Sequence, residues 1–338
     1  VIFVTVLIRS GTSAARLYKS EAREEKLSPN IGNTLQKSLQ IYLLFTGLGL
    51  SLYILAGLPI FDAVNLTFTT ISTGGMSIKN ANVGFYQNNI IYLITMFLMI
   101  LGATSFTVHY KLIKTRGKSF FKDIQVQVML SLIALATLGI IFLTRNEPIE
   151  TLFHVISAVT TTGANISSPA YMATWPSLSL LVLMALMMIG GSSGSTVGAM
   201  KIIRVITAAK GINLTLAKIA SPQGRVLNVK IAGKKLKETE IREATAYLFL
   251  YLVFLFFGWG IFLYFGYDPF QSLFDIISTQ GNVGLSLGVV GPQLPDAIKI
   301  TLTFLMWIGR LEIIPVLVMV QGLAFAIKDS IRIKKEKL

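Results

Sequence analysis

Ile71-Ser72-Thr73-Gly74-Gly75-Met76 is a short polar interruption between two strongly apolar segments, and it has two echoes further along the chain. These are Val159-Thr160-Thr161-Thr162-Gly163-Ala164 and Gly281-Asn282-Val283-Gly284-Leu285. Each is a run of hydroxyl, amide and glycine residues that closes a short apolar segment. Counting back from Gly75, Gly163 and Gly284 brings the three segments into register. Fourteen residues earlier stand Phe61, Ile149 and Phe270, thirteen earlier Asp62, Glu150 and Gln271, and seven earlier Phe68, Ile156 and Ile277. The spacing predicts three copies of one unit: a long helix, a short helix, a glycine-containing turn, and a second long helix.

Composition says where such units sit. Hydrophobic residues make up 53% of the chain and charged residues only 14%, against about 25% charged in a soluble domain. Mean hydropathy is +0.67. Apolar runs near residues 39–58, 90–108, 124–143, 178–200, 244–265 and 298–327 approach or exceed the roughly 20 residues that cross a bilayer as a helix. The chain reads as an all-α membrane protein. It has no cysteine, and its two histidines, His109 and His154, are far apart, which excludes disulfides and a zinc site. Both histidines read as packed residues.

The net charge of +14 could point to nucleic acid. The positions of the cations point elsewhere. Six Lys and Arg lie in residues 9–37, five in 111–122, ten in 201–242 and five in 328–337, leaving only Lys79, Arg145, Lys299 and Arg310. These blocks fall at alternate ends of successive apolar pairs, so one membrane face can hold them all. That is the positive-inside pattern of cytoplasmic loops, without the aromatic interleaving of a nucleic-acid surface.

The short apolar segments 60–71, 149–159 and 269–278 cannot span the membrane alone. A half-spanning helix entering from outside aims its negative C-terminal end at the membrane centre, which favours a cation there. Asp62, Glu150 and Asp268 near the outer ends complement the positive helix N-termini. Rings of backbone carbonyls can replace the hydration shell of K⁺, and glycine permits the backbone conformations that aim them inward. The candidate ion-contacting residues are Ser72, Thr73, Gly74 and Gly75; Thr160, Thr161, Thr162 and Gly163; and Gly281, Asn282, Val283 and Gly284. Thr-Gly after an apolar helix is also an ordinary helix C-cap, but three copies in register favour a filter.

Two further stretches stand out. Gly190-Gly191-Ser192-Ser193-Gly194-Ser195-Thr196-Val197-Gly198-Ala199 lies midway along an inward helix. Such a run unwinds or kinks a membrane helix; close packing through small residues is the plainer alternative. We read it as a flexible segment crossing the pathway below the filter. Arg310, within Gly309-Arg310-Leu311-Glu312, lies deep in the last apolar run and needs water or a partner there. It reads as a positive charge in the cavity or as a gate latch, with a structural bridge to another helix as the alternative. Glu312 is expected on another face of the same helix. A small hairpin with a glycine turn is expected near 225–236. A broken-helix transporter of an organic solute remains the competing class. No nucleophile–base set suggests an enzyme.

Arg-Leu-Tyr-Lys-Ser-Glu-Ala at 16–22, Ile-Ser-Thr-Gly-Gly-Met-Ser at 71–77, Thr-Thr-Thr-Gly at 160–163, the Gly-Ser-rich break ending in Ala199-Met200-Lys201, and Gly-Arg-Leu-Glu at 309–312 resemble the Trk/Ktr potassium transporters, most closely the Trk-type membrane subunit. The resemblance implies four helix–pore helix–helix units around a pseudo-fourfold pore, with the first unit incomplete in this chain. Residues 1–9 would end the first unit and 10–37 form a cytoplasmic connector. The second unit would be 38–113, the third 124–204 with a broken inner helix, 205–243 a cytoplasmic insertion, the fourth unit 244–327, and 328–338 a basic tail. It further implies K⁺ as the transported ion, a gating loop at 190–199, a pore-facing Arg310, a homodimer, and a cytosolic nucleotide-binding regulatory subunit at a prokaryotic cytoplasmic membrane. A passive or ion-coupled route would both fit. Ala164, where a bulky residue is common, and the last filter Gln280-Gly281-Asn282-Val283-Gly284 depart from the family pattern and imply looser ion selection.

Overall fold

The computed structural model describes residues 31–114, 120–222 and 229–322. The expected end of a first unit at 1–9, most of the connector 10–37 and the tail 328–338 lie outside the described residues. The regular structure of the described residues is helical, apart from one two-stranded hairpin.

The chain begins with α1 (Ile31–Leu55), followed by the short α2 (Ile60–Ile71), then α3 (Asn89–Ala103) and α4 (Phe106–Lys114). The order repeats with α5 (Ile124–Thr144), α6 (Pro148–Val159), α7 (Ser177–Ile189) and α8 (Ile202–Ile219). Strands β1 (Lys230–Ile231) and β2 (Lys234–Lys235) then pair antiparallel, Ile231 opposite Lys234. Their turn, Ala232-Gly233, is left-handed at both residues (φ 47° and 82°), the geometry of a tight hairpin turn. The third round is α9 (Glu238–Tyr264), α10 (Pro269–Gln280), α11 (Asp296–Leu311) and α12 (Ile313–Gly322).

Local sequence explains the short helices. Pro59 precedes α2, and Pro148 and Pro269 open α6 and α10, where a fixed φ and a missing N–H cost a helix nothing. Asp62 and Glu150 sit in first turns, and the Asp268 side chain accepts from the N–H groups of Phe270 and Gln271. All three helices are 12 residues long, or about 18 Å, which spans little more than half a bilayer.

Among the described residues, three single helices are long and apolar enough to cross a membrane: Gln36–Leu55, Ile124–Thr144 and Glu238–Tyr264. The inner helices are not continuous, contrary to the uninterrupted runs expected at 90–108 and 298–327. α3 and α4 meet at 101°, α11 and α12 at 105°, and twelve residues separate α7 from α8. Thr104 is extended (φ −93°, ψ 141°), and Glu312 is left-handed (φ 68°, ψ 140°). The apolar patterns there carry straight through each bend, so hydropathy alone could not show it.

Each short helix packs between the long helices before and after it. α3 also packs against α6, and α7 against α10. The inner helix of one round thus lies on the short helix of the next. Leu98, Met99, Phe153, Leu183 and Phe274 fill the resulting core and are fully buried. Leu55, Phe61, Leu135, Phe142, Phe257 and Tyr264 are exposed large apolar side chains, as a lipid-facing surface requires. His109 and His154 are buried as expected. His109 Nε2 lies 2.9 Å from the Leu101 carbonyl, and His154 Nδ1 lies 2.9 Å from that of Glu150.

Candidate functional site

The three glycine-containing turns have one backbone geometry. Each short helix ends in a right-handed cap: Ser72 (φ −76°, ψ 0°), Thr160 (φ −80°, ψ −2°) and Gly281 (φ −71°, ψ −8°). The next residue is left-handed: Thr73 (φ 52°), Thr161 (φ 51°) and Asn282 (φ 53°). Two residues on, Gly75, Gly163 and Gly284 are again at positive φ (62°, 74° and 105°).

The hydrogen bonds match as well. Thr73 N–H donates to the Thr70 carbonyl and Gly74 N–H to that of Thr69; Thr161 to Ala158 and Thr162 to Ser157; Asn282 to Thr279 and Val283 to Ser278. This crossed pair is the Schellman C-cap. Glycine usually holds its left-handed position. Here two are threonine, a β-branched residue for which positive φ is a genuine outlier, costing on the order of 1–3 kcal/mol.

Those outliers have a use. Thr73 Oγ1 lies 2.9 Å from the Thr196 carbonyl and 3.1 Å from the Thr196 hydroxyl. Thr161 Oγ1 accepts from Gly198 N–H at 3.0 Å. Asn282 Nδ2 donates to the Met306 carbonyl at 3.0 Å. The left-handed residue of each turn therefore aims its side chain at an inner helix or its break. The hydroxyls of Thr160 and Thr162 instead pair with each other, and Thr160 also donates to its own helix at Ile156.

The turns touch in sequence. A Cβ on Gly75 would lie 1.8 Å from the Thr162 carbonyl oxygen, and one on Gly163 would lie 1.8 Å from that of Val283. Around Gly284 the nearest such atom is Gly163 Cα at 3.8 Å. Gly75 is half-buried, Gly163 buried and Gly284 exposed. Among the described residues nothing donates to the carbonyls of Gly74, Thr162, Gly163, Val283 or Gly284, whereas the Gly75 carbonyl accepts from Asn82 Nδ2 at 2.9 Å.

The Gly-Ser stretch lies against all three turns. Helix α7 ends at Ile189 with Gly190 at φ 71°, and Gly191, Ser192 and Ser193 run beside the α3 break and α5. Ser192 N–H donates to the Ala103 carbonyl, and Ser193 N–H to Gln125 Oε1 at 2.8 Å. Gly194 accepts from Phe106 N–H, and the Ser195 hydroxyl turns back to the Ser192 carbonyl. Thr196 Oγ1 lies within 3.1 Å of the carbonyls of Ile71 and Gly102. Val197 is buried, and a Cβ on Gly198 would meet the Gly281 carbonyl oxygen at 2.2 Å. Arg310 Nη1 donates to the Thr196 carbonyl at 2.6 Å. Of the sequence-predicted loop residues, Thr196 and Gly198 are thus brought against the turns and Arg310 reaches the loop at Thr196, whereas Gly191 to Ser195 lie against α3, α4 and α5 or bond within the loop.

Glu312 is not on the helix of Arg310. It forms the break itself, and its buried carboxylate takes Lys201 Nζ at 2.7 Å and Arg204 Nη2 at 2.6 Å. Sequence reading also missed the side chains that brace the turns from their own helices. The Ser157 hydroxyl donates to the Ala164 carbonyl at 2.6 Å, and the Ser278 hydroxyl accepts from Gly284 N–H at 3.0 Å. Both stand six residues before their glycine, with Thr69 in the first copy; the same counting would have found them.

Short helices capped alike, their turns in contact, and a broken helix laid beneath them define a membrane transport protein. The TrkH family profile, described as cation transport protein, matches residues 1–146 and 144–324. The chain belongs to that family. It is 40% identical to an uncharacterized cation transporter of Methanocaldococcus jannaschii over 96% of this chain and 67% of that protein. It is 28% identical to the Trk system potassium uptake protein TrkG of Escherichia coli over 95% and 69%. The crystal structure of the potassium transporter TrkH from Vibrio parahaemolyticus superposes with a TM-score of 0.78 at 26% identity, covering 86% of this chain and 65% of that one. The chain thus spans about two thirds of the length of these relatives.

Proposed function

We propose that this chain is the potassium-translocating membrane subunit of a Trk-type uptake system in a prokaryotic cytoplasmic membrane. The observation that carries the reading is the row of three alike-folded turns, the glycine of the first and second each abutting a carbonyl of the next, with the carbonyls of Gly74, Thr162, Gly163, Val283 and Gly284 taking no donor among the described residues. Three short-helix C-termini meet there, each favouring a cation. Backbone carbonyls of residues 72–75, 160–163 and 281–284 replace the ion's water. A fourth turn between those of Gly284 and Gly75 would close the ring, making 38–113, 124–204 and 244–327 three units of a pseudo-fourfold pore.

Below the ring, residues 190–199 and Arg310 form the gate. Arg310 holds the loop at Thr196 and places positive charge on the exit path. The negative interior drives K⁺ inward by about 2.3 kcal/mol per 100 mV. The basic stretches and the 230–235 hairpin then face the cytoplasm. A second copy of the chain and a cytosolic nucleotide-binding subunit complete the assembly that the Trk resemblance implies.

Rb⁺ flux into liposomes carrying the full-length protein tests this. Flux needs no organic solute, and Gly75→Asp abolishes it; selective uptake retained in that variant would rule the filter out. Shortening the loop 190–199 raises Rb⁺ flux by about tenfold, because losing net hydrogen bonding of about 1.4 kcal/mol shifts a closed–open equilibrium that far. Flux unchanged or lower, in a protein that still elutes as a single species, counts against a gate there.

A further inference from the structure

The three turns are not braced alike on the side where the chain leaves them. After the first, Asn82 holds the Gly75 carbonyl, and Asp62 ties α2 to the returning chain through Tyr86 at 2.9 Å and Lys79 at 3.3 Å. After the second, Glu150 accepts from Ser167. After the third, the brace is one fully buried carboxylate in the middle of α10. Asp275 Oδ1 accepts from Leu287 N–H at 2.8 Å, and Oδ2 from the Ser286 hydroxyl at 2.7 Å and Val290 N–H at 2.9 Å. These donors lie two, three and six residues beyond Gly284, so the chain leaving the turn wraps around the carboxylate.

Nine residues before the glycine, the other copies have Leu66 and His154. No such carboxylate braces them at that position. Gly75 and Gly163 also abut the backbone of the following turn, while a Cβ on Gly284 would stand 3.8 Å from its nearest neighbour. Besides Asn282 on α11, the third turn is held from its own helix: by Ser278 at the Gly284 N–H and by Asp275 just beyond.

We infer that Asp275 is a positioning residue for ion selection: it sets where the carbonyls of Val283 and Gly284 stand, and so how well the last turn discriminates K⁺ from Na⁺. A buried carboxylate can accept from two backbone N–H groups and a hydroxyl at once. The shape-matched amide of Asn keeps one acceptor oxygen and turns an NH₂ toward groups that are themselves donors. The turn must then shift to relieve that clash. The inference rests on the proposed potassium pathway.

The test is Rb⁺ uptake by the full-length protein in liposomes, with Na⁺ as competitor. Asp275→Asn is expected to lower discrimination against Na⁺ by about tenfold, the factor that one lost buried hydrogen bond carries. Its yield and elution profile should stay those of the parent. Ser286→Ala, which removes one donor and leaves the carboxylate, should give a smaller loss in the same direction. It decides the matter if Asp275→Asn does not fold. Parental discrimination in Asp275→Asn, or in Ser286→Ala where that variant decides, overturns the positioning role. If the parent protein itself shows no K⁺-selective flux, the proposed function fails instead.

Discussion

Gly163→Ala is expected to abolish selective Rb⁺ uptake, and Gly284→Ala to impair it much less. The two glycines occupy matched places, and both are left-handed, at φ 74° and 105°. Alanine carries a conformational cost of roughly 1–2 kcal/mol at φ 74° and, at φ 105°, beyond the left-handed α region, one on the order of 1–3 kcal/mol. Their surroundings separate them. A methyl group on Gly163 would sit 1.8 Å from the Val283 carbonyl oxygen and 2.9 Å from Gly284 Cα. Both are backbone atoms, which no side-chain rotation can move aside. The third turn must be pushed away, and a carbonyl proposed to coordinate the ion goes with it. A shift of about 1 Å in a preorganised site can cost 10²-fold in rate, so uptake should fall by at least about that factor. A methyl group on Gly284 meets nothing closer than 3.8 Å and leaves only the backbone strain. Initial Rb⁺ rates per reconstituted protein provide the comparison. Equal impairment of the two variants would sink the proposed contact between neighbouring turns.

The same contrast shows how far the sequence could be read. Counting back from three glycines located the short helices, and the structure bounds them at 60–71, 148–159 and 269–280. That worked because proline, first-turn acids and an apolar stripe are local signals. The left-handed Thr73 and Thr161 were invisible, since threonine propensity argues against that conformation; only the contacts to Thr196 and Gly198 make it worthwhile. The bends at Thr104 and Glu312 were missed for a related reason. A bilayer-length apolar run looks the same whether straight or folded through 101°. Arg310 stood out as a charge in hydrocarbon, and the structure does give it a partner on the loop. Asp275 did not stand out, because its donors are mostly backbone N–H groups, which carry no side-chain signature.

Glu312→Gln should destabilise the protein by about 3–5 kcal/mol, the usual loss when one partner of a buried ion pair is removed. Glu312, Lys201 and Arg204 have side chains only 8%, 7% and 18% exposed. Glutamine keeps the shape and removes the charge, leaving two cations facing one another in a poorly solvated place. Both hinge residues are also left-handed, Lys201 at φ 71° and Glu312 at φ 68°. Neither conformation is favourable for these residue types, and the ion pair joins the two strained positions directly. A drop of about 4–7 °C in the detergent melting temperature is expected on that scale. Lys201→Met added to Glu312→Gln should recover part of it, because Arg204 then no longer faces Lys201 as a second buried cation. Its guanidinium already stacks 4.2 Å over the Tyr247 ring and is the least buried of the three. A melting temperature in Glu312→Gln equal to that of the parent would remove the network from the account. If the drop is observed, a second readout follows from geometry. The pair joins the end of the Gly-Ser loop, at Lys201, to the bend that carries Arg310 on its other side. Untying it frees the loop at one end while Arg310 still holds Thr196, so Rb⁺ leak should rise, and by less than when the loop itself is shortened.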